Sequence, residues 1–493
     1  MPEWTRREFL AAGLGAAGAS AVGRGAWAGP AEAAAGLRPG EAGLRPGAAG
    51  SPLDRVVIEP DTLVGQDGFY RVGRSTTGRW WLLRPDGRPI LYRGVCALFM
   101  PDVGGSEAAA YRRHWEKQHG RDTDAFVAHC LGFIEGLGFN ALGEWATPQF
   151  WDRGRPYTVL IHARKDAGNR FTVQPPKHVD VFDPGWRAAY EARCKEVCTP
   201  LRDKKDLVGY FVDNEAAWGQ ARRDHVWGEK GDMADRNVLG KEPLLLQYFL
   251  ALDPKRGGHR AAWEFVLARH GGSAAQVAKD WGADFDSPAA LADLHRKGMV
   301  LDSKAFGADQ DAFTAHFTRE YFRLTAEAIR RHDPNHLLLG CRHGAPPGDV
   351  VLKAYDRRHV DVLSFNNYRP NFRQRADEYS AHVRLPMLNG EFSWASGGFL
   401  DWNRYVAGKT FGDQEKEVCR RKGIAALEGA FTHPALIGYT WYKFCYRFPD
   451  ADGPTYGLLD PAGRINRFNA AMLKAIHARL EGIACGEIEP AKA

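Results

Sequence analysis

Between residues 89 and 441 short apolar, β-prone runs alternate with longer stretches whose apolar positions recur at helical spacing. The runs are residues 89–95, 140–143, 158–162, 207–212, 336–341, 360–365, 386–390 and 435–441. Strands buried on both faces of a parallel sheet show as such continuous apolar runs. Eight of them with helices between give the count of a (β/α)8 TIM barrel, an α/β fold. Ahead of them, Phe69 to Val72 and Arg79 to Leu83 are short β-prone segments separated by turn residues, and Pro85-Asp86-Gly87 is a further turn. They predict an N-terminal β-hairpin cap, within residues 56–88, on the closed end of the barrel.

Two helices carry clear signals. Asp183-Pro184 supplies an N-cap and a first-turn proline, after which Trp186, Tyr190, Cys194, Val197 and Leu201 mark one apolar face. A second helix is predicted over 309–331, with Phe313, Phe317, Tyr321, Leu324 and Ala328 as its buried stripe and Asp333-Pro334 as its stop. The interval from Trp218 to Asp309 is too long for one loop, and its periodic segments predict a helical insertion after strand four, over residues 220–305, beside the catalytic face. One helix, 468–480, follows the last strand. The catalytic unit thus runs over residues 56–485.

The first 28 residues read as a twin-arginine signal peptide. Thr5-Arg6-Arg7-Glu8-Phe9-Leu10 precedes an Ala/Gly-rich run to Val22 and an Ala26-Trp27-Ala28 cleavage site. That run is short and glycine-rich, so no stable membrane span is expected. Gly13 to Gly18 matches a dinucleotide fingerprint by chance, since no strand precedes it. Residues 29–55 repeat AGLRPG in an Ala/Gly/Pro matrix and read as a disordered tether. The export machinery of the twin-arginine route is then a partner, and the mature chain is periplasmic or extracellular.

Composition adds exclusions. The 493 residues are 44% hydrophobic and 26% charged, with a net charge of only +6 and no basic arm, which argues against nucleic-acid binding. Twin-arginine substrates fold before export, so the eight cysteines need no bridges. Cys96, Cys130, Cys341 and Cys445 fall in apolar runs, and Cys194 and Cys198 lie one helical turn apart, too close in a helix to pair without strain. No zinc spacing occurs, and no metal or cofactor is called for.

The predicted strand tips collect polar and aromatic residues. They are Glu144-Trp145, His162, Asn214-Glu215, Arg342-His343, Asn366-Asn367-Tyr368, Glu391 and Trp441-Tyr442. Glu215 and Glu391 are the candidate catalytic pair, because cleaving a glycosidic bond takes one carboxylic acid to protonate the leaving oxygen and one carboxylate to attack or to activate water. Asn214, Tyr368, Trp441, Trp145, Glu144, His162, Asn367, His343, Trp218 and Trp394 are candidate substrate contacts, amides and carboxylates for hydroxyls and flat rings for sugar C–H faces. For His162 and His343 a satisfied core histidine is the competing reading, and for Trp218, Trp394 and Tyr446 loop packing is. Glu144 either binds a hydroxyl, sets the protonation of Glu215 or Glu391, or pairs with Arg342.

The Asn-Glu at strand four, Tyr at six, Glu at seven and Trp at eight resemble the retaining glycosidases of clan A. The stretches GRWWLLRPDGRPILYRGV (78–95), GYFVDNEAAWG (209–219), HDPNHLLLGCR (332–342) and DVLSFNNYRP (361–370) resemble more narrowly the β-agarases of glycoside hydrolase family 50, over residues 68–480. The resemblance implies Glu215 as general acid/base, Glu391 as nucleophile, Asn214 near the sugar 2-hydroxyl, Tyr368 orienting Glu391, and Trp441 flooring the subsite. Glu144 stands where the pattern has a neutral Asn, and the tether takes the place of the family's N-terminal carbohydrate-binding-like module. The expected activity is retaining hydrolysis of a galactose-type polysaccharide or its oligosaccharides. The alternatives are a clan A exo-glycosidase on another sugar, β-galactosidase-like, and an inactive secreted sugar-binding barrel.

Overall fold

A computed structural model describes residues 50–100, 107–173, 178–216, 218, 225–227, 233–235, 245–296, 301, 303–344 and 346–492. The twin-arginine segment, most of the tether and part of the expected insertion lie outside the described residues.

The hairpin region folds as a three-stranded antiparallel sheet of β1 (Arg71–Arg74), β2 (Trp80–Leu83) and β3 (Pro89–Ile90). The chain then enters β4 (Tyr92–Val95), β5 (Ala141–Leu142) and β6 (Tyr157–Leu160), followed by a small ribbon of β7 (Thr172–Val173) and β8 (His178–Val179). β9 (Leu207–Phe211) precedes a second ribbon, β10 (His225–Trp227) and β11 (Met233–Asp235). Last come β12 (Leu337–Leu338), β13 (Leu363–Asn366), β14 (Met387–Phe392) and β15 (Leu436–Trp441).

Each of the eight expected core strands has its counterpart, with boundaries shifted by a few residues. They pair in parallel as two sheets, β13-β14-β15-β4-β5 and β12-β9-β6, and no closed ladder runs round the set. At the two seams the backbone is bonded more sparsely. Leu142 N–H donates to Pro156 O at 2.9 Å on one side; on the other, Val362 N–H donates to Leu338 O at 3.1 Å and Asn366 N–H to His343 O at 2.8 Å. β12 is shorter than the run 336–341 predicts, because Gly340 and Arg342 take positive φ, +71° and +48°, which ends the extended backbone.

Between the two sheets and the hairpin lies a compact apolar cluster. Tyr92, Ala141, Val208, Leu337, Leu388 and Ile437 come from six core strands, and Tyr70, Val72, Leu82 and Ile90 come from the hairpin side. Each buried Val, Leu or Ile contributes about 1.5–3 kcal/mol relative to exposure. Arg79 locks the hairpin to the start of β15, donating to Phe431 O and His433 O at 2.9 Å and to Leu436 O at 2.8 Å. Trp80 N–H adds a bond to Pro434 O at 2.7 Å.

The other faces of the strands pack against helices. The helix Pro184–Cys198 starts where Asp183 accepts from Gly185 N–H at 2.8 Å, and it buries Trp186, Tyr190, Cys194 and Cys198. The helix Lys304–His332 begins five residues before the predicted 309, at a Ser303 cap, and buries Phe313, Phe317 and Tyr321 as its stripe requires. Among the described residues, four helices occupy the interval of the expected insertion: Leu245–Leu250, Gly257–Arg269, Ala274–Trp281 and Pro288–Arg296. The eight cysteines are free thiols, all but Cys485 buried. Among the described residues no helix is long and apolar enough to cross a membrane.

Candidate active site

Within each core sheet the strands are parallel, so their C-terminal ends share one edge. Four residues at those ends, Ala97, Trp145, Glu215 and Arg342, have positive φ of 65°, 67°, 51° and 48° without being glycine. Such backbone is costly and clusters where side chains must be aimed.

Glu391 is aimed by an irregularity in the ladder. Phe365 pairs with Asn389 and Asn366 pairs with Glu391, so Gly390 is an extra residue on β14, a bulge that turns the next side chain. A Cβ at Gly390 would stand 2.7 Å from Arg342 Nε, so only glycine lets that guanidinium cross the strand. Arg342, fully buried, donates Nη2 to Glu391 Oε1 at 2.8 Å and to Gly390 O at 2.7 Å. Trp145 Nε1 donates to the same carboxylate oxygen at 3.3 Å, and the Tyr368 hydroxyl donates to Oε2. Burial first, and the Glu391 charge next, hold the Tyr368 pKa well above its ordinary value, so the phenol keeps its proton. Burial alone disfavours the Arg342 charge; Glu391, Cys96, Glu144 and Glu215 outweigh it and raise its pKa.

Glu215 differs in environment. It is exposed, at the end of the turn that follows β9, and its Oε1 accepts from Asn366 Nδ2 at 2.9 Å. Its stem lies on Gly344, where an added Cβ would approach Cγ to 2.7 Å. Asn214 Oδ1 receives a longer contact, 3.5 Å, from the same Asn366 amide. One carboxylate is therefore buried among three donors, and the other is exposed and accepts from the Asn366 amide.

Glu144 is buried beside this cluster, and its carboxyl is pushed up to about 7. Burial is the main cause and the nearby Glu391 charge adds to it, against the lowering influence of Arg342, the Thr158 hydroxyl and the Trp145 amide. His162, half-buried, bonds Asp213 Oδ1 through Nδ1 at 3.1 Å and stacks on Trp145 with ring centroids 5.9 Å apart. The two rings form an accessible wall beside Glu391.

Several sequence candidates sit elsewhere. His343 is buried between Tyr355, whose hydroxyl is 2.6 Å from Nε2, and Trp218, whose Nε1 donates to Nδ1 at 3.2 Å; burial pushes its pKa down to about 3. Trp218 is packed against Tyr321 and Phe322. Trp394 and Trp441 are both fully buried, their rings 4.5 Å apart and their indole N–H groups bonded to Asn469 and to Tyr456 O. None of these four presents a face to a sugar here; each indole or imidazole is consumed by packing. Asn367 is turned inward too, its side chain accepting from Arg369 N–H at 3.1 Å and donating to Asn371 at 3.4 Å.

Asn366, beside it, is the residue that reaches the site. Alternation along a strand carries that signal, since 366 and 368 share a face and 367 lies on the other. Tyr442, at the tip of the last strand, and Tyr456, which lies beyond any strand tip, stand edge-on to Tyr368 at 6.1 and 6.2 Å.

No family model matches the chain. It is 26% identical over 331 residues to β-agarase B of Vibrio sp. (strain JT0107), covering 65% of this chain and 31% of that protein. β-Agarase A of the same organism is 25% identical over 322 residues, covering 62% and 30%. The chain thus spans under a third of the length of these curated relatives. A solved exo-β-agarase superposes with a TM-score of 0.66 at 16% identity, over 86% of this chain and 66% of its own. The agarase AgWH50C superposes with a TM-score of 0.62 at 18% identity, over 85% and 66%. In sequence and in fold, the chain is β-agarase-like, similar to the agarases of glycoside hydrolase family 50.

Proposed function

We propose that this chain is a glycoside hydrolase of β-agarase type, a retaining β-glycosidase that cleaves a galactose-type polysaccharide or its oligosaccharides. The observation that carries the reading is the link through Asn366, which pairs with Glu391 in the ladder and bonds Glu215 through its side chain. In the double displacement, Glu391 attacks the anomeric carbon as Glu215 protonates the departing glycosidic oxygen, which leaves a glycosyl ester on Glu391. Glu215, now a carboxylate, takes a proton from water, whose oxygen displaces Glu391 from the same carbon. The donors around Glu391 suit a group that must stay anionic and fixed in aim, and the exposure of Glu215 suits one that exchanges protons with water.

Retention requires carboxyl groups about 5–5.5 Å apart. Asn214, Trp145 and His162 are the proposed sugar contacts beside the pair, and Tyr368, bonded to Glu391, is proposed to orient it. The eight parallel strands are proposed to form one (β/α)8 barrel, a reading supported by the backbone bonds at both seams and by the apolar cluster that gathers side chains from six strands. Residues 1–28 are proposed as a twin-arginine signal and 29–55 as its tether, which makes the enzyme periplasmic or extracellular.

The test is a product screen on agarose, other galactans and aryl β-glycosides, with Glu391→Ala as control. Release of oligosaccharides from agarose by the wild type alone supports the reading. Binding without cleavage on every substrate overturns it in favour of a sugar-binding protein.

A further inference from the structure

At the opposite ends of the strands lies a cleft of about 490 Å³ that contains neither Glu215 nor Glu391. Leu385, just before β14, and Ala435, just before β15, form its floor, and the hairpin residues Gly78 and Trp80 form one side. From Leu385 to Glu391 the chain runs about 20 Å at roughly 3.3 Å per residue. An occupant of this cleft is therefore not the sugar held between the two glutamates.

The chemistry of the walls is specific. Trp80 is half-buried, and the hairpin that carries it is fixed by the Arg79 and Trp80 bonds to the start of β15. Arg74, Arg357 and Arg384 line the cleft against one acid, Asp61. Arg74 lies 3.4 Å from Glu59, whereas Arg357 stands over the Trp80 ring, 5.7 Å from its centroid. Among the described residues neither Arg357 nor Arg384 forms a salt bridge, and both are exposed. Burial, with Arg373 adding to it, pushes His433 down to about 4, so this neighbour adds no charge of its own.

A half-buried indole with one exposed guanidinium over it and a second beside it is a combination that receives a pyranose bearing an anionic ester: the forks take the sulfate oxygens in bidentate fashion, and the exposed part of the indole packs on the sugar C–H groups. The volume falls within the several hundred Å³ typical of small-ligand sites. We propose that this cleft is a second saccharide site that binds a sulfated galactan segment, away from the hydrolytic centre. The proposal rests on the glycosidase reading only in taking a saccharide as the occupant.

The experiment is calorimetric titration of the full chain, in a Glu391→Ala background that prevents cleavage, with a sulfated galactan tetrasaccharide and its desulfated counterpart. The sulfated sugar is expected to bind about tenfold or more tightly, and Arg357→Ala combined with Arg384→Ala to abolish the difference. Trp80→Ala is expected to weaken both ligands. The same arginine substitutions in the otherwise wild-type chain are expected to leave turnover of a small neutral aryl glycoside unchanged. Equal binding of the two sugars, binding indifferent to the arginines, or inorganic sulfate bound as tightly as the sulfated sugar each overturns the proposal. Failure of the glycosidase reading shows separately, as absence of turnover on any glycoside, while the titration still reports on the cleft.

Discussion

Asn366 stands opposite Glu391 in the β13–β14 ladder and donates its side-chain amide to Glu215 at 2.9 Å. One residue thus shares a rung with the first carboxylate and holds the second. Asn366→Ala removes the bond without touching Glu391. Since a lost hydrogen bond to a charged group is worth about 1.5–3 kcal/mol, kcat/KM is expected to fall roughly 10- to 100-fold. Asn366→Asp puts a second acid beside Glu215, which raises the pKa of that carboxyl, so the pH–rate profile should move to higher pH. Steady-state kinetics across pH checks both, and an unmoved profile in the Asp variant denies the contact.

Arg342 is buried with Glu391 and is its only cationic partner at bonding distance among the described residues. Replacing it by Met leaves Glu391 with the neutral donors Trp145 and Tyr368. Breaking a buried pair from one side costs about 3–5 kcal/mol, so Arg342→Met should lower the urea midpoint well outside error as well as activity. Arg342→Lys keeps the charge but loses the fork, and is expected to fall between the two.

Glu144 gives a pH dependence with a definite sign. Its pKa is about 7 in the folded chain against an ordinary 4.5, because burial disfavours the charge. The folded state then keeps a proton that the unfolded state gives up, and stability falls as pH rises from 4.5 to 7. At about 1.36 kcal/mol per unit the loss is roughly 3 kcal/mol. Glu144→Gln should flatten that decline in denaturant titrations at pH 5, 6, 7 and 8. A slope identical to that of the wild type contradicts the assignment.

Gly344→Ala tests how Glu215 is held. The added methyl group would sit 2.7 Å from Glu215 Cγ and must push that side chain aside. Misplacing a reacting group by an ångström costs about 100-fold in rate, while the atoms that must give way belong to the side chain of Glu215, which is itself exposed. Activity is expected to drop by that order with the melting temperature nearly unchanged.

The particular residues show why part of this was legible in the sequence. Glu215 and Glu391 stood out because each ends an apolar run, a one-dimensional signal, and the runs themselves marked the eight core strands to within a few residues. The helix stripes at Trp186, Tyr190 and Cys194, and at Phe313, Phe317 and Tyr321, were read for the same reason: burial repeats with a period. Trp441, Trp394, Trp218 and His343 lie buried at their strand tips because a tip is defined along the chain, whereas access is decided in three dimensions. Asn469, Tyr456 and Tyr355, remote in sequence, close over them. Alternation along β13 distinguishes Asn366, which reaches Glu215, from the expected contact Asn367, which bonds Asn371 and Arg369 instead. The bulge at Gly390, which gives Glu391 its aim, leaves no compositional mark beyond a glycine.

The central claim is that Glu391 attacks the sugar and Glu215 serves the departing and incoming oxygens. Glu391→Gly, assayed on an aryl β-galactoside with an activated leaving group and supplied with azide, tests it most directly. The account predicts no turnover without azide, and with azide the formation of an α-galactosyl azide, as the small anion fills the space left by the carboxylate and attacks from its side. Turnover by Glu391→Gly at the wild-type rate, or a β-configured azide product, would contradict it.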